Sequence, residues 1–363
     1  MLSVIATDLP RLIPCNGSRL MAATLPAVDA ADASKDEGNA VHWLVAQIHA
    51  GKFTPKTIVG QKSPEGIFIT SEMVEYVQEY INETRHGEVE VDTSHAGNGW
   101  NVRGRADAVV YDPMGGLLTI AELKYGWRIV EPEMNWTLIS HVAGFLANNP
   151  DKPVHTIDLM IFQPRPHHYA GDVRSWRIGI GDFAELYNKM AATLQSPDNM
   201  LHTGEIQCHY CPALATCPAA RKAQFNAIEA SEKAFSDQID NDNLSFQLDH
   251  LKRASAMLKD LEKAYSELAL YRVKGGDIVP NYSLETELTN RNWKTDLTPE
   301  FVEALTGKDL TKKQLITPKQ AENAGVSKEV VAALTERHNK GVKLVRVDAD
   351  AKAKKLFNQP KGN

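Results

Sequence analysis

The stretch 107-DAVVYDPMGGLLTIAELKYG-126 decides the fold. It opens on an acid, runs through an apolar strand and a Met114-Gly115-Gly116 turn, and closes on a second apolar strand carrying Glu122-Leu123-Lys124. Side chains alternate along a strand, so Glu122 and Lys124 share a face and Leu123 turns to the core. A short hairpin folds Asp107 back beside the Glu122 end. Two carboxylates and a lysine then meet at one sheet edge, inside a run where unpaired charge is costly. Such carboxylates suit a hard cation, Mg²⁺ or Mn²⁺. A bound metal lowers the pKa of its water and stabilises charge on a phosphate, and a lysine beside it orients that water. The plain alternative is a same-face surface ion pair, worth little.

Working outward, helical spacing of apolar residues predicts helices over 37–52 and over 70–83, the second capped by Thr70 or Ser71. Strands are expected over 87–94, 107–112, 117–126 and 155–165, with a helix over 133–148 before the last. Strands, then helix, then strand makes an α/β core with a mixed sheet. A helix follows at about 181–195, then a cysteine-rich loop, 208-CHYCPALATC-217. Two helices near 219–237 and 243–273 break at 240-DNDN-243. The stripe Leu244, Leu248, Leu251, Leu258, Leu261, Tyr265 and Leu268 suits a hairpin packed on the core or on a second copy of the chain. The expected organisation is therefore a core at 1–222, a helical hairpin at 223–275, a small module at 276–345 with helices near 298–306, 317–324 and 328–338, and a basic tail at 346–363.

The 363 residues are 43% hydrophobic and 24% charged, ordinary for a soluble protein. No apolar run is long enough for a membrane span, and the N-terminus does not read as a signal peptide, so a cytoplasmic protein is expected. A net charge of −6 argues against a surface coated in basic residues for nonspecific nucleic-acid binding, though a local groove is enough. Four cysteines in a reducing compartment point to metal rather than disulfides. Cys208, Cys211 and Cys217 form a compact triplet, and Cys15 lies far upstream. Such thiolates bind an iron–sulfur cluster or tetrahedral zinc.

GRADAVV (104–110) followed by IAELKYG (120–126) resembles the PD-(D/E)xK nuclease core in its RecB-like branch. The resemblance implies that Asp107 and Glu122 hold the metal, with His42 on an upstream helix as a further ligand. The main-chain carbonyl of Leu123 is another candidate. Lys124 would position the attacking water. The Gln-x-x-x-Tyr motif usual in this branch is absent, since Thr137-Leu-Ile-Ser-His141 stands there. One early and three late cysteines around such a core resemble the iron-staple nucleases, AddB-type and CRISPR-adaptation, in which a [4Fe-4S] cluster clips the N-terminal segment to the region after the core. Cys15, Cys208, Cys211 and Cys217 would be its ligands. The segments 161-IFQPR-165, the 208–217 loop, 290-NRNWKTDL-297 and 310-LTKKQLITPKQAE-322 resemble a phage and prophage family of mainly uncharacterised or nuclease-like proteins. Together these resemblances imply a phage-encoded deoxyribonuclease in a bacterial host. It would be an exonuclease on DNA ends, working with a recombination or replication protein. A non-catalytic DNA-end scaffold and a zinc-stapled endonuclease are the rivals. Candidate DNA contacts are Arg103, Arg105, Tyr125, Arg128, Gln163 and Arg165.

Overall fold

The structure is a computed structural model, and it describes residues 2–23, 33–84, 87–196, 198–209, 211–232 and 240–284. The chain divides into two compact units, Met1–Glu285 and Thr286–Asn363, and every described residue lies in the first. The helices expected near 298–306, 317–324 and 328–338, the segments 290–297 and 310–322, and the tail 346–363 lie outside the described residues.

In chain order the elements are β1 (Leu2–Ile5), α1 (Leu9–Leu12), α2 (Ser18–Ala23), α3 (Ala33–His49), α4 (Pro55–Ile58), α5 (Ser71–Glu83), β2 (Glu88–Asp92), β3 (His95–Gly97), β4 (Trp100–Arg103), β5 (Arg105–Asp112) and β6 (Leu117–Leu123). Then come α6 (Trp136–Asn148), β7 (Thr156–Phe162), β8 (Val173–Gly179), α7 (Ile180–Gln195), α8 (Glu205–His209), α9 (Pro218–Glu232) and α10 (Asn241–Lys274). The larger sheet has the order β2-β5-β6-β7-β8 and is antiparallel except for the parallel pair β6–β7. A parallel pair needs a crossover, and α6 supplies it. A smaller mixed sheet, β1-β4-β3, holds β1 parallel to β4. The architecture is therefore mixed α/β, two mixed sheets flanked by helices. No helix among the described residues is long and apolar enough to cross a membrane.

Helices cover both faces of the larger sheet. Leu118 and Ile120 of β6 and Ile157, Leu159 and Ile161 of β7 pack with Leu138, Ile139 and Val142 of α6 and with Phe183 and Met190 of α7. Ala121 and Leu123 of β6 and Met160 and Phe162 of β7 pack with Val41 and Leu44 of α3 and with Val77 and Tyr80 of α5. A strand covered on both faces reads as a near-continuous apolar run, and 117–123 is broken only by Thr119 and Glu122.

The hairpin and the helices stand close to where the sequence puts them. Thr70 caps α5 by accepting the Met73 N–H at 3.2 Å. Helix α6 starts three residues later than the pattern suggests, because Asn135 Oδ1 caps it by accepting from Thr137 N and Leu138 N at 3.1 and 3.3 Å. The strands β1, β3 and β4 went unread, being only three or four residues long and too short to show a period. Leu261 is the one buried residue of the α10 stripe, while Leu244, Leu251 and Tyr265 are exposed.

Candidate active site

The strand register lines up the acids. Val89 pairs with Ala108 and Val91 with Ala106, so Glu90 stands opposite Asp107. Ala108 pairs with Ala121, so the next rung sets Asp107 opposite Glu122. Glu90, Asp107 and Glu122 thus form one row across β2, β5 and β6, where opposite residues are near neighbours. Glu90 has φ +53°, a left-handed conformation that a non-glycine residue holds only where its surroundings enforce it.

His42 reaches the row from α3, with Nδ1 3.3 Å from Asp107 Oδ1. Ligand atoms of His42, Glu90 and Asp107 all lie within 4.8 Å of one another. One imidazole nitrogen and two carboxylates suit a divalent cation that accepts oxygen and nitrogen, Mn²⁺ or Mg²⁺. Sequence reading missed Glu90, because its strand is short and its neighbour Glu88 looks identical in the pattern. The other oxygen of Asp107 is engaged too, since Oδ2 accepts the Leu123 N–H at 2.8 Å. Lys124 Nζ meets Glu122 Oε2 at 2.5 Å.

Glu122 is only 4% exposed, and its second oxygen meets His141 Nε2 of α6 at 3.1 Å. His141 Nδ1 lies 2.7 Å from Thr93 Oγ1. A carboxylate can only accept, so the ring nitrogen facing Glu122 carries the proton, and in the neutral ring Nδ1 accepts from the Thr93 hydroxyl. This junction is tightly built. A Cβ on Gly104 would sit 2.9 Å from Thr93 Oγ1 and 3.1 Å from His141 Nδ1, and one on Gly144 would run into the Thr93 carbonyl. Helix α6 therefore lies directly on the backbone of Thr93 and presents His141 one turn before that contact. The departure from Gln-x-x-x-Tyr was visible in the sequence; the partner of His141 was not.

Charge is distributed unevenly through the row. Burial pushes the Asp107 carboxyl well above its ordinary value, and the charge of Glu122 adds to the effect. Burial also opposes ionisation of Glu122, but the Lys124 charge and the His141 hydrogen bond outweigh it and hold this carboxyl below the usual range. Burial alone would lower Lys124, but the two carboxylates raise it, so it stays an ammonium. Burial and the nearby Lys124 lower His42, favouring the neutral ring that a metal ligand must be. A cleft of about 510 Å³ opens over these groups, lined also by Ile5, Ala6, Thr7, Arg103 and Arg105.

Comparison with known proteins adds a family. The profile described as "Protein of unknown function (DUF2800)" matches residues 6–351, nearly the whole chain. The chain belongs to this family. No curated protein matches it. A solved structure titled "Crystal structure of SSO0001" is similar at 16% identity and a TM-score of 0.28, over 60% of this chain and 87% of that one.

In this DUF2800 chain the residues expected to touch DNA fall into two groups. Arg103 and Arg105 line the cleft, and Arg105 lies 3.6 Å from Glu90. The others are committed to the protein itself. Gln163 is fully buried; its Nε2 donates to the carbonyls of Gly126 and Arg128, and its Oε1 accepts from Val130 N and Arg174. Arg165 pairs with Glu37 at 2.6 Å and lies over the buried Tyr125 ring. Arg128 donates to the Glu205 carbonyl at 3.1 Å, tying its loop to α8.

The cysteines converge. Helix α1, just before Cys15, packs against α8, which carries Cys208. Burial, then the neighbouring cysteine sulfurs, push the Cys208 thiol up to about 11 and raise Cys211, although the Gly204 and Ala213 amides act the other way. Amide hydrogens of His202 and Gly204 point at the sulfurs of Cys15 and Cys208, at 3.3 and 3.4 Å. Buried thiols with amides aimed at their sulfurs fit a metal centre, whose positive charge would ionise them.

Proposed function

We propose that this chain is a divalent-metal-dependent nuclease that hydrolyses phosphodiester bonds in DNA, and that its cysteines hold an iron–sulfur cluster. One observation carries the first part: three acids stand in a row across three strands, flanked by His42 and a protonated Lys124, beneath an open cleft lined by two arginines. Buried acids whose pKa values are pushed in opposite directions cluster at functional sites, and this support stands beside the geometry.

His42, Glu90 and Asp107 would hold the cation, with Glu122 and the Leu123 carbonyl beside them. The bound metal would supply an activated water and stabilise charge on the phosphate. Lys124, held as an ammonium, orients the attacking water and offsets phosphate charge; it is in the wrong state to withdraw a proton. His141 and Lys124 fix the two oxygens of Glu122. Arg103 and Arg105 draw the phosphate backbone into the cleft.

The four cysteines support a single thiolate centre, since Cys15 meets Cys208, Cys211 and Cys217 from nearly 200 residues upstream. Iron–sulfur rather than zinc follows from the resemblance to the iron-staple nucleases, and either metal would ionise these thiols.

The test is degradation of linear and circular DNA with Mg²⁺ or Mn²⁺, wild type beside Lys124→Ala and Glu122→Ala, on anaerobically purified protein assayed for iron, sulfide and zinc. Metal-dependent loss of linear DNA only, abolished in both variants, is expected of an exonuclease acting in phage recombination or replication. Activity that survives both substitutions removes the proposed site. Zinc without sulfide removes the cluster.

A further inference from the structure

Three residues after Lys124, Trp127 is 66% exposed. This exposed ring is held from three directions. The carbonyls on either side of it, Gly126 and Arg128, are bound at 2.9 and 2.7 Å by the fully buried Gln163. Its ring lies 4.8 Å from the Arg165 guanidinium, which also lies over the Tyr125 ring at 4.2 Å. Arg165 in turn is fixed by Glu37 of the His42-bearing helix and by the Tyr125 carbonyl, at 2.6 and 3.3 Å. A buried amide and a paired arginine thus hold an indole in water rather than fold it into the core.

We propose that Trp127 is a stacking platform for an unpaired nucleobase, so that the substrate of the cleft is a single-stranded or frayed nucleic-acid end. The proposal rests on the nuclease reading above and adds the substrate class. An aromatic ring fixed in water, with a cation beneath it, is what base stacking needs, because every base presents a π face. Distance agrees. Three residues span at most about 11 Å, so Trp127 lies within roughly three stacked bases of the phosphate that Lys124 would meet, at about 3.4 Å per base along a strand. A base paired inside a duplex cannot lie flat on a side chain, but an unpaired one can.

The experiment measures binding of full-length Lys124→Ala protein, which holds the nucleic acid uncut, to labelled single-stranded and blunt duplex oligonucleotides in Mg²⁺ by fluorescence anisotropy. Trp127→Ala and Trp127→Phe are added on that background, and folding is checked by circular dichroism. Removing one stacked base is worth about 1–3 kcal/mol, so Trp127→Ala should weaken single-strand binding by roughly 5- to 150-fold. Trp127→Phe should keep most of it, and duplex binding should change little. Equal single-strand affinity with and without the indole overturns the platform, as does an equal loss on both ligands. A loss of self-association with no change in nucleic-acid binding also overturns it, and assigns the indole to a protein interface. No binding of either ligand by folded Lys124→Ala, nor by folded wild-type protein with Ca²⁺ in place of Mg²⁺, counts against the nuclease reading instead.

Discussion

His141 makes a demanding test of the site, because it forms the junction of a buried chain, Thr93–His141–Glu122–Lys124. Replace it with leucine, which fills similar space without a polar atom. Glu122 then loses a hydrogen bond to a charged group, about 1.5–3 kcal/mol, and Thr93 loses a neutral one, about 1 kcal/mol. Both sites are buried, so water does not replace either bond. The expected loss is about 2.5–4 kcal/mol, a large share of the roughly 5–15 kcal/mol that holds a domain together. Thr93→Val alone should cost about 1–2 kcal/mol, mostly for the ring nitrogen left without a partner. The two losses share one ring, so the double variant should cost about 1 kcal/mol less than the sum. Urea denaturation of the full chain in divalent-free buffer measures all three values. Calorimetric titration with Mn²⁺ reads the other consequence, since an unclamped Glu122 should weaken binding by roughly 10- to 100-fold. His141→Gln keeps a donor and should recover part of both. A leucine variant within about 0.5 kcal/mol of wild type, the range of an ordinary surface change, would refute the reasoning.

Other expectations rest on the same charges. Burial and Glu122 raise Asp107 above its ordinary 3.8, so between 3.8 and its folded value the native state binds more protons than the unfolded one, and this contribution falls as pH rises through that window. Asp107→Asn should therefore stabilise the metal-free protein at pH 7, by about 1–3 kcal/mol, with the advantage shrinking on acidification, and should abolish Mn²⁺ binding. His95 runs the other way. Burial lowers it below 6.5 despite its bond to the Thr93 carbonyl, so the stability it supports is complete above pH 6.5 and lost below, at up to about 1.4 kcal/mol per pH unit. His95→Phe keeps the packing on Trp100, and its denaturation midpoint should depend less on pH between 6.5 and 5. Cys15→Ala should lose bound iron and visible absorbance and reduce DNA cleavage, while far-ultraviolet dichroism of the sheet and helices stays near wild type.

What the sequence made legible was whatever repeats over enough residues. The doubly buried strands β6 and β7 are seven residues each and mostly apolar, and Asp107, Glu122 and Lys124 sit on or beside a hairpin whose register is set by its turn. His42 came from the resemblance, which places a histidine ligand on an upstream helix. Glu90 did not, because its role depends on being opposite Asp107 on a five-residue strand, and that pairing is a long-range fact. Gln163 and Arg165 show the opposite limit. Polar residues beside core strands look free in a sequence, and only packing shows that loop carbonyls and rings already occupy them.

The N-terminal segment explains why cysteines so far from the acids should matter to them. Strand β1 pairs in parallel with β4, and Ile5 with the two residues after it lines the cleft beside Arg103 and Arg105. Thr137 of α6, one turn before His141, donates to the Ala6 carbonyl at 3.4 Å. The far end of the segment is moored at Asn16, whose side-chain amide donates to the carbonyls of Thr193, Ser196 and Asp198, and at Cys15 among the other cysteines. One wall of the cleft is thus a short segment held by β4 at one end and by residues 193–208 at the other. A short parallel strand pair is a weak hold by itself. A cross-link joining Cys15 to Cys208 closes a loop of nearly 200 residues and restricts the unfolded chain most where closure is longest. On the proposed reading, a metal centre on these cysteines would act on the cleft mechanically, through residues 2–16, and its loss should change substrate affinity before it changes the row of acids.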